Sequence, residues 1–341
     1  MFSVCNLLSI NGFGYPFPKK AAKIAIATIR RWRQFQHPAP GLYRVPTPLH
    51  LIVAERTRIA PTPSGYLHAG NGVAFLLTYR LAGQYKASLR LRIDDLDAER
   101  GRLTYVEDIF DSLRWLGIDW DQGPHNANEQ EREHSQAKRT VRYQENIDIL
   151  KEQGDLYACT CSRSALRELA RRGMKNCDCR AKQRSFKETE ATWRLHIPAD
   201  AMVRMDELFG NTRMLVPADL MTDPVIRQRI SEEGAGRPAY QIASLMDDVD
   251  QGSTMIVRGE DLLSSTACQL YLADRLGLEA FKRIRFVHHP LITDAHGQKL
   301  SKSEGAEALR TMRANGTTPA ELHASAERML AGLRHGDATD H

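Results

Sequence analysis

Arg58-Ile-Ala-Pro-Thr-Pro-Ser-Gly-Tyr-Leu-His-Ala-Gly-Asn71 is the stretch whose reading decides the fold. Ile59-Ala60 is a short apolar run that can serve as a strand. Pro61, Pro63 and Gly65 then forbid both strand and helix. After His68-Ala69-Gly70-Asn71 an apolar run, Val73-Ala74-Phe75-Leu76-Leu77, continues with helical spacing to Leu81. The pattern is strand, tight loop, helix, with His68 and Gly70 at the helix mouth. A helix N-terminus presents unpaired N–H groups and the positive end of its dipole, which suits a phosphate. Gly70 removes a side chain where a base or ribose must approach closely, and His68 can donate to a phosphate oxygen.

A second phosphate element lies far downstream. Lys299-Leu-Ser-Lys-Ser303 sits among the turn formers Asp294, Gly297 and Gly305, so its two lysines and two hydroxyls form a clamp. The two elements together, with Arg58-x-Ala60-Pro61-x-Pro63-x-Gly65-x-Leu67-His68-x-Gly70, resemble the glutamyl-tRNA synthetase family of class I aminoacyl-tRNA synthetases. The resemblance includes its short relative, glutamyl-Q-tRNA(Asp) synthetase, and covers roughly residues 56–305.

The resemblance implies an α/β fold: a Rossmann-type nucleotide-binding domain with an insertion and a short helical C-terminal segment. It implies ATP-dependent formation of an aminoacyl adenylate, with Mg2+ accompanying the ATP, and transfer of the acyl group to a tRNA. His68, Asn71, Lys299 and Lys302 would be catalytic, and Gly70 and Ser301 would join them in binding ATP. Arg58, Ala60, Thr62, Asp94, Tyr240, Ser244 and Arg258 would line the amino-acid site. Glutamate carries two carboxylates, for which bidentate arginines such as Arg58 and Arg258 are suited.

Three positions depart from the family pattern. Its Arg-x-Glu-Asp-x-Asp motif, whose Glu reaches the substrate ammonium, is here Arg92-Ile-Asp94-Asp95-Leu-Asp97. The family's Asn four residues after the tyrosine is Ser244. The Trp of full-length enzymes four residues after the second arginine is Leu262, as in the short glutamyl-Q type. Glutamylation of queuosine in tRNA(Asp) is the expected reaction. The alternatives are charging of tRNA(Glu), an acceptor other than tRNA, and a nucleotide-binding module without activity.

Composition agrees with a globular chain long enough for two domains or for one with an insertion. The formal charge of +5 is uneven: residues 1–54 hold seven Lys/Arg and no acid, so residues 55–341 carry −2. RNA contact must therefore come from local patches. The expected organisation is a basic, Pro-rich and poorly ordered extension over 1–54, followed by what the resemblance implies: Rossmann halves over 55–155 and 236–305, an insertion over 156–235 that receives the tRNA acceptor end and holds zinc, and a short helical segment over 306–341 with no anticodon-binding domain. No apolar run approaches a membrane span, which points to a cytoplasmic protein with no membrane partner, acting as a monomer.

The insertion contains Cys159-Thr-Cys161 and Cys177-Asp-Cys179, two C-x-C pairs separated by fifteen residues. Four thiolates in two close pairs fit a tetrahedral, structural Zn2+. The remaining periodicities predict a strand over 88–93 ending at the acids and a helix from Thr104. A long polar helix follows over 128–154, then strands over 192–197, 213–216, 225–230 and 254–257. The last elements are a helix over 263–276 stopped by Gly277 and one starting at the Thr318-Pro-Ala-Glu321 box.

Overall fold

The structure is a computed structural model that describes residues 54–96, 103–174, 176–230, 236–292 and 308–335. Lys299, Ser301 and Lys302, and all but the last residue of the N-terminal extension, lie outside the described residues.

The chain enters through β1 (Arg56–Ile59), whose last three residues are buried. The proline-rich turn leads into α1 (Ala69–Tyr85), which starts four residues before the apolar run and buries Val73, Leu76, Leu77 and Leu81. β2 (Ser88–Leu91) then runs parallel to β1, with Arg56 opposite Ser88 and Ile59 opposite Leu91. α2 (Leu103–Trp115) buries Ile109, Phe110 and Leu113 against this pair, as its 3.6-residue period requires. Gly123 closes over β2 with φ +102°, and a Cβ there would lie 2.0 Å from the Leu91 carbonyl oxygen, so only glycine fits.

The single helix expected over 128–154 is broken. A helical turn (127–129), a π-turn (130–134) and a 3-10 turn (136–139) precede α3 (Thr140–Glu152). The break is at Ser135, whose backbone leaves the helix (φ −55°, ψ 137°). The cause is tertiary: Asp95 accepts hydrogen bonds from Gln136 N at 2.7 Å and Gln130 Nε2 at 2.8 Å. A continuous helix could not turn both residues inward.

The next segment contains β3 (Leu156–Cys159), α4 (Arg163–Arg171), β4 (Thr192–Leu195), β5 (Val203–Glu207), β6 (Arg213–Leu215) and β7 (Val225–Arg227). Strands β3, β4 and β7 form one antiparallel sheet, while β5 pairs with β6. The returning half supplies α5 (Tyr240–Asp250), β8 (Met255–Gly259), α6 (Leu263–Arg275) and β9 (Arg285–His289). β9 runs parallel both to β8 and to β5. The segment over 156–235 therefore shares a sheet with the returning half, and Leu195, Met205, Ile242, Leu270 and Phe286 share one core.

β1 lies along β8: Thr254 N donates to Arg56 O at 2.9 Å and Arg58 Nη1 to Val257 O at 3.4 Å. From β1 the chain crosses through α1 to β2 on one side; from β8 it crosses through α6 to β9 on the other. The gap between the carboxyl ends of β1 and β8 is thus a switch point, where open α/β sheets bind ligands. Finally α7 (Leu309–Ala314) and α8 (Ala320–His335) return to α1. Leu322 and Ala326 are buried, and a Cβ on Gly72 would lie 3.3 Å from Leu322 Cδ1. No helix among the described residues is long and apolar enough to cross a membrane.

Candidate active site

At that switch point is a cavity of about 280 Å³. Six of the seven expected amino-acid-binding residues line it: Arg58, Ala60, Thr62, Asp94, Tyr240 and Arg258. β1 supplies Arg58, the turn after it Ala60 and Thr62, the end of β2 Asp94, and β8 Arg258. Tyr240, the first residue of α5, stands half-exposed at the rim. Arg92, Leu262, His289 and the α1 residues Ala74, Phe75 and Thr78 also line it.

Ser244, the seventh, is buried behind the wall and accepts from Arg92 Nη2 at 3.1 Å. The same guanidinium donates to Asp94 Oδ1 from Nε at 2.7 Å and to Asp248 Oδ1 from Nη1 at 2.8 Å. Asp248 Oδ1 also accepts Arg58 Nε at 2.8 Å. One carboxylate oxygen thus holds two arginines, while Arg258 Nη2 lies 3.9 Å from Asp248 Oδ2. Arg92, Asp247 and Asp248 form the part of the site that sequence reasoning missed. The available signal was an Asp-Asp pair on a helix whose residues 241–248 are all buried. A buried carboxylate demands a partner.

Asp247 faces the other way. It accepts Arg139 Nε at 2.7 Å and Nη2 at 2.9 Å, Tyr143 Oη at 2.6 Å and Gln136 Nε2 at 2.9 Å. This ties the broken helical strap to α5. Asp94 and Asp95 are also told apart: Asp94 faces the cavity, and Asp95 holds the strap.

The charges are mutually tuned. Burial pushes the Asp248 carboxyl up, but Arg58, Arg92 and Arg258 overcome it and hold its pKa at about 2. Burial raises the Asp94 pKa and prevails over Arg92, because Asp247 and Asp248 add like charge. Burial opposes charge on Arg92, yet Asp248, Asp94 and Asp247 raise its pKa well above the ordinary value. Arg258 moves the opposite way, lowered by burial and by Arg58 and Arg92. Its Nη1 donates to Gln269 Oε1 at 2.9 Å, but its Nε and Nη2 are buried without a hydrogen-bond partner. Behind it, burial and Arg258 hold His288 neutral, with a pKa of about 3.

His68 caps α1 in an extended conformation, and Asn71 Oδ1 accepts its backbone N–H at 3.1 Å. Gly70 is buried in the first turn. The chain returns to this same corner after the lysine loop: Ala308 bridges His68, and Leu309 N donates to Leu67 O at 2.8 Å. Upstream of the loop, Leu291 N donates to Glu260 Oε1 at 3.1 Å. The residues flanking the loop are therefore fixed beside the cavity and the α1 mouth.

The four cysteines come together from β3 and the turns after α4. Their sulfur atoms all lie within 4.8 Å of one another, with Cys159–Cys177 at 3.7 Å and Cys161–Cys179 at 3.5 Å. A tetrahedral Zn–S distance of about 2.3 Å requires sulfurs roughly 3.8 Å apart, so the donor set fits Zn2+. Burial raises the thiol pKa of Cys161 and of Cys177, the penalty that a bound dication reverses.

The family described as tRNA synthetases class I (E and Q), catalytic domain, matches residues 54–332. The glutamyl-Q tRNA(Asp) synthetase of Nitratidesulfovibrio vulgaris is 33% identical over 293 residues, covering 82% of this chain and 86% of that one. The glutamate–tRNA ligase of Trichodesmium erythraeum is 31% identical over 301 residues, covering 84% of this chain but 33% of that one. The crystal structure of the Elizabethkingia anophelis glutamate-tRNA synthetase superposes with a TM-score of 0.60 at 25% identity, over 74% of this chain and 53% of that one. The chain thus spans a third to about half of these two longer relatives.

Proposed function

This chain belongs to the class I tRNA synthetases of the E and Q type, and we propose that it activates glutamate with ATP and passes the glutamyl group to a tRNA. The observation that carries the choice of an acidic amino acid is the charge of the cavity. Arg58, Arg92 and Arg258 face or back it, against Asp94 and Asp248, and Asp247, 3.9 Å from Arg92 Nε, is answered by Arg139 at 2.7 Å, so four arginines meet three carboxylates, a formal surplus of one positive charge. Glutamate, with two carboxylates and one ammonium, carries one negative charge and matches it. The buried, unpartnered Nε and Nη2 of Arg258 are donors waiting for a carboxylate, since leaving them unpaired is costly. Asp94 is the acid placed for the ammonium.

A substrate carboxylate oxygen attacks the α-phosphorus of ATP, forming the acyl–phosphate bond as pyrophosphate leaves. An acceptor hydroxyl then takes the acyl group and AMP departs. Positioning and charge stabilisation dominate such transfers. His68, Gly70 and Asn71 at the α1 mouth, with Lys299, Ser301 and Lys302 joining from the loop, would hold the phosphates. Mg2+ accompanying the ATP would offset part of the phosphate charge. Loss of Lys302 would cost on the order of 100-fold in rate, by analogy with removal of one transition-state donor. A Zn2+ held by Cys159, Cys161, Cys177 and Cys179 would be structural, because four protein ligands leave no open position.

For the acceptor we favour queuosine of tRNA(Asp). Leu262 lines the cavity at the position where full-length enzymes of the resembling family carry Trp, and the match to the glutamyl-Q relative supports the same choice. The reaction is taken to be cytoplasmic and carried out by a monomer. The test is amino-acid-dependent exchange of pyrophosphate into ATP across the standard amino acids, followed by transfer to tRNA(Asp) with and without queuosine. Exchange with glutamate alone and transfer only to the queuosine form would support the reading. Transfer to tRNA(Glu) would move the acceptor, and absence of exchange with ATP still bound would remove the activity.

A further inference from the structure

Arg258 differs from the other two arginines of the cavity in what holds it. Arg58 and Arg92 each donate to Asp248 Oδ1 at 2.8 Å. Arg258, only 5% exposed, has no carboxylate at hydrogen-bond distance among the described residues; Asp248 Oδ2 lies 3.9 Å from its Nη2. Its anchors are neutral. Nη1 donates to Gln269 Oε1 at 2.9 Å and, less closely, to Thr266 Oγ1 at 3.4 Å. The guanidinium lies over the Phe286 ring, 5.7 Å from its centroid. His288, held uncharged, bonds to Thr266 Oγ1 at 2.8 Å and stacks on Phe286.

Thr266 and Gln269 stand three residues apart on α6 and so share a face of that helix. Gln269 is fully buried, and its Nε2 has no hydrogen-bond partner. An amide with one end unpaired is a costly choice for a buried position. A glutamate there would have no idle donor and would bind Arg258 through a charged acceptor. A methionine would span the same length and leave nothing unpaired. Neither does what the amide does, which is to fix one corner of the guanidinium and compensate none of its charge. Nε and Nη2 of Arg258, buried and without a partner, stay available to an incoming carboxylate.

We propose that Gln269 sets the selectivity of the cavity for an acidic amino acid, as a positioning residue that orients Arg258 and leaves its charge uncompensated. The inference rests on the reading that glutamate is the substrate. It adds the residue, behind the wall, on which the preference for glutamate over glutamine depends. With Gln269 in place four arginines meet three carboxylates. With a glutamate in its place the numbers are equal, and a ligand of net negative charge loses its advantage over its neutral amide.

The test is pyrophosphate exchange and calorimetric titration on the full chain, comparing wild type with Gln269→Glu and Gln269→Met, with thermal melts to show that each variant folds. In Gln269→Glu the KM for glutamate is expected to rise on the order of tenfold or more, the size of one charge-assisted hydrogen bond, with kcat and the KM for ATP little changed. The preference for glutamate over glutamine is expected to narrow by the same factor. Gln269→Met keeps the charge of Arg258 and removes its anchor, so the KM for glutamate is expected to rise with the preference retained. A packing role alone would lower stability and move kcat and both KM values together, with the preference intact in both variants. A folded Gln269→Glu with wild-type preference, or a folded Gln269→Met with wild-type KM for glutamate, would overturn the inference. If wild type exchanges with glutamate in that case, the activity reading stands alone. If wild type binds glutamate but exchanges with no amino acid, the activity reading falls and the titrations of the variants still decide the role of Gln269. Absence of glutamate binding to wild type would remove both.

Discussion

Asp248→Asn is the substitution that most directly probes the site, because one oxygen of Asp248 fixes both Arg58 and Arg92 at 2.8 Å. Its magnitude can be bounded twice. A folded-state pKa of about 2, held below the ordinary 3.8 by Arg58, Arg92 and Arg258, corresponds to about 2 kcal/mol of stability. Breaking a buried pair while leaving its cation behind costs about 3 to 5 kcal/mol. Asn keeps the shape but not the charge, so a loss of about 3 kcal/mol is expected, a large share of a typical stability of about 5 to 15 kcal/mol. Urea unfolding should show a lower midpoint with an unchanged slope. The pH dependence supplies a second check. A depressed carboxylate pKa contributes stability that is complete above pH 3.8 and is lost as pH falls toward 2. The wild type should lose this increment over that window and D248N should not. In exchange assays D248N should raise KM for the amino acid more than it lowers kcat, since Arg58 loses its anchor. A variant as stable as wild type within about 0.5 kcal/mol, with the same acid limb, would refute the assignment of Asp248 as the counter-ion.

Three further outcomes follow from the same geometry. D94E and S244N should each lower exchange activity alone, and the double variant should recover part of the loss, giving a coupling energy of about 1 kcal/mol or more, because both side chains bond the Arg92 guanidinium. Glutamate affinity should fall on acidification both through the ligand's own side-chain carboxylate, at about 4.3, and through the raised Asp94 carboxyl; titrating Kd against pH should show a steeper fall in wild type than in D94N, which keeps only the ligand's step. Elemental analysis should find one zinc per chain, C161S should lose it, and a chelator should open residues 163–187 to trypsin before the β1–α1 unit is cut.

Much of the nucleotide fold was legible because its signals are local. Pro61, Pro63 and Gly65 punctuate the β1–α1 turn, apolar runs at strand or helix period mark β1, α1, α2 and β8, and two C-x-C pairs announce the cysteine cluster. What was not legible depended on distant partners. The segment 128–154 has helical composition throughout, yet Asp95 draws Gln130 and Gln136 inward and breaks it at Ser135. β3 and β5 were not expected from the sequence; β5 takes its place in the sheet by pairing with β9, almost eighty residues later, as well as with β6. Arg92 and Asp248 lie in family-like segments, but their pairing could not be read until folding buries both and places them 2.8 Å apart.

Asp94 and Ser244 read, in sequence, as two separate departures from the family pattern. In the structure they meet on one side chain: Asp94 on Nε and Ser244 on Nη2 of Arg92. The arginine has three anionic or polar partners, with Asp248 as the third. Arg58 and Arg258, which present donors to the cavity, are left as the family pattern has them. The charge surplus that calls for an acidic ligand is thereby unchanged, since Asp carries the same charge as Glu and neither Ser nor Asn carries any. What the pair alters is reach: the carboxylate of Asp94 stands one methylene further from an incoming ammonium. Under the proposed function such a change would adjust where the amino group sits more than which amino acid enters, because the buried Nε and Nη2 of Arg258 make no hydrogen bond and would take the carboxylate.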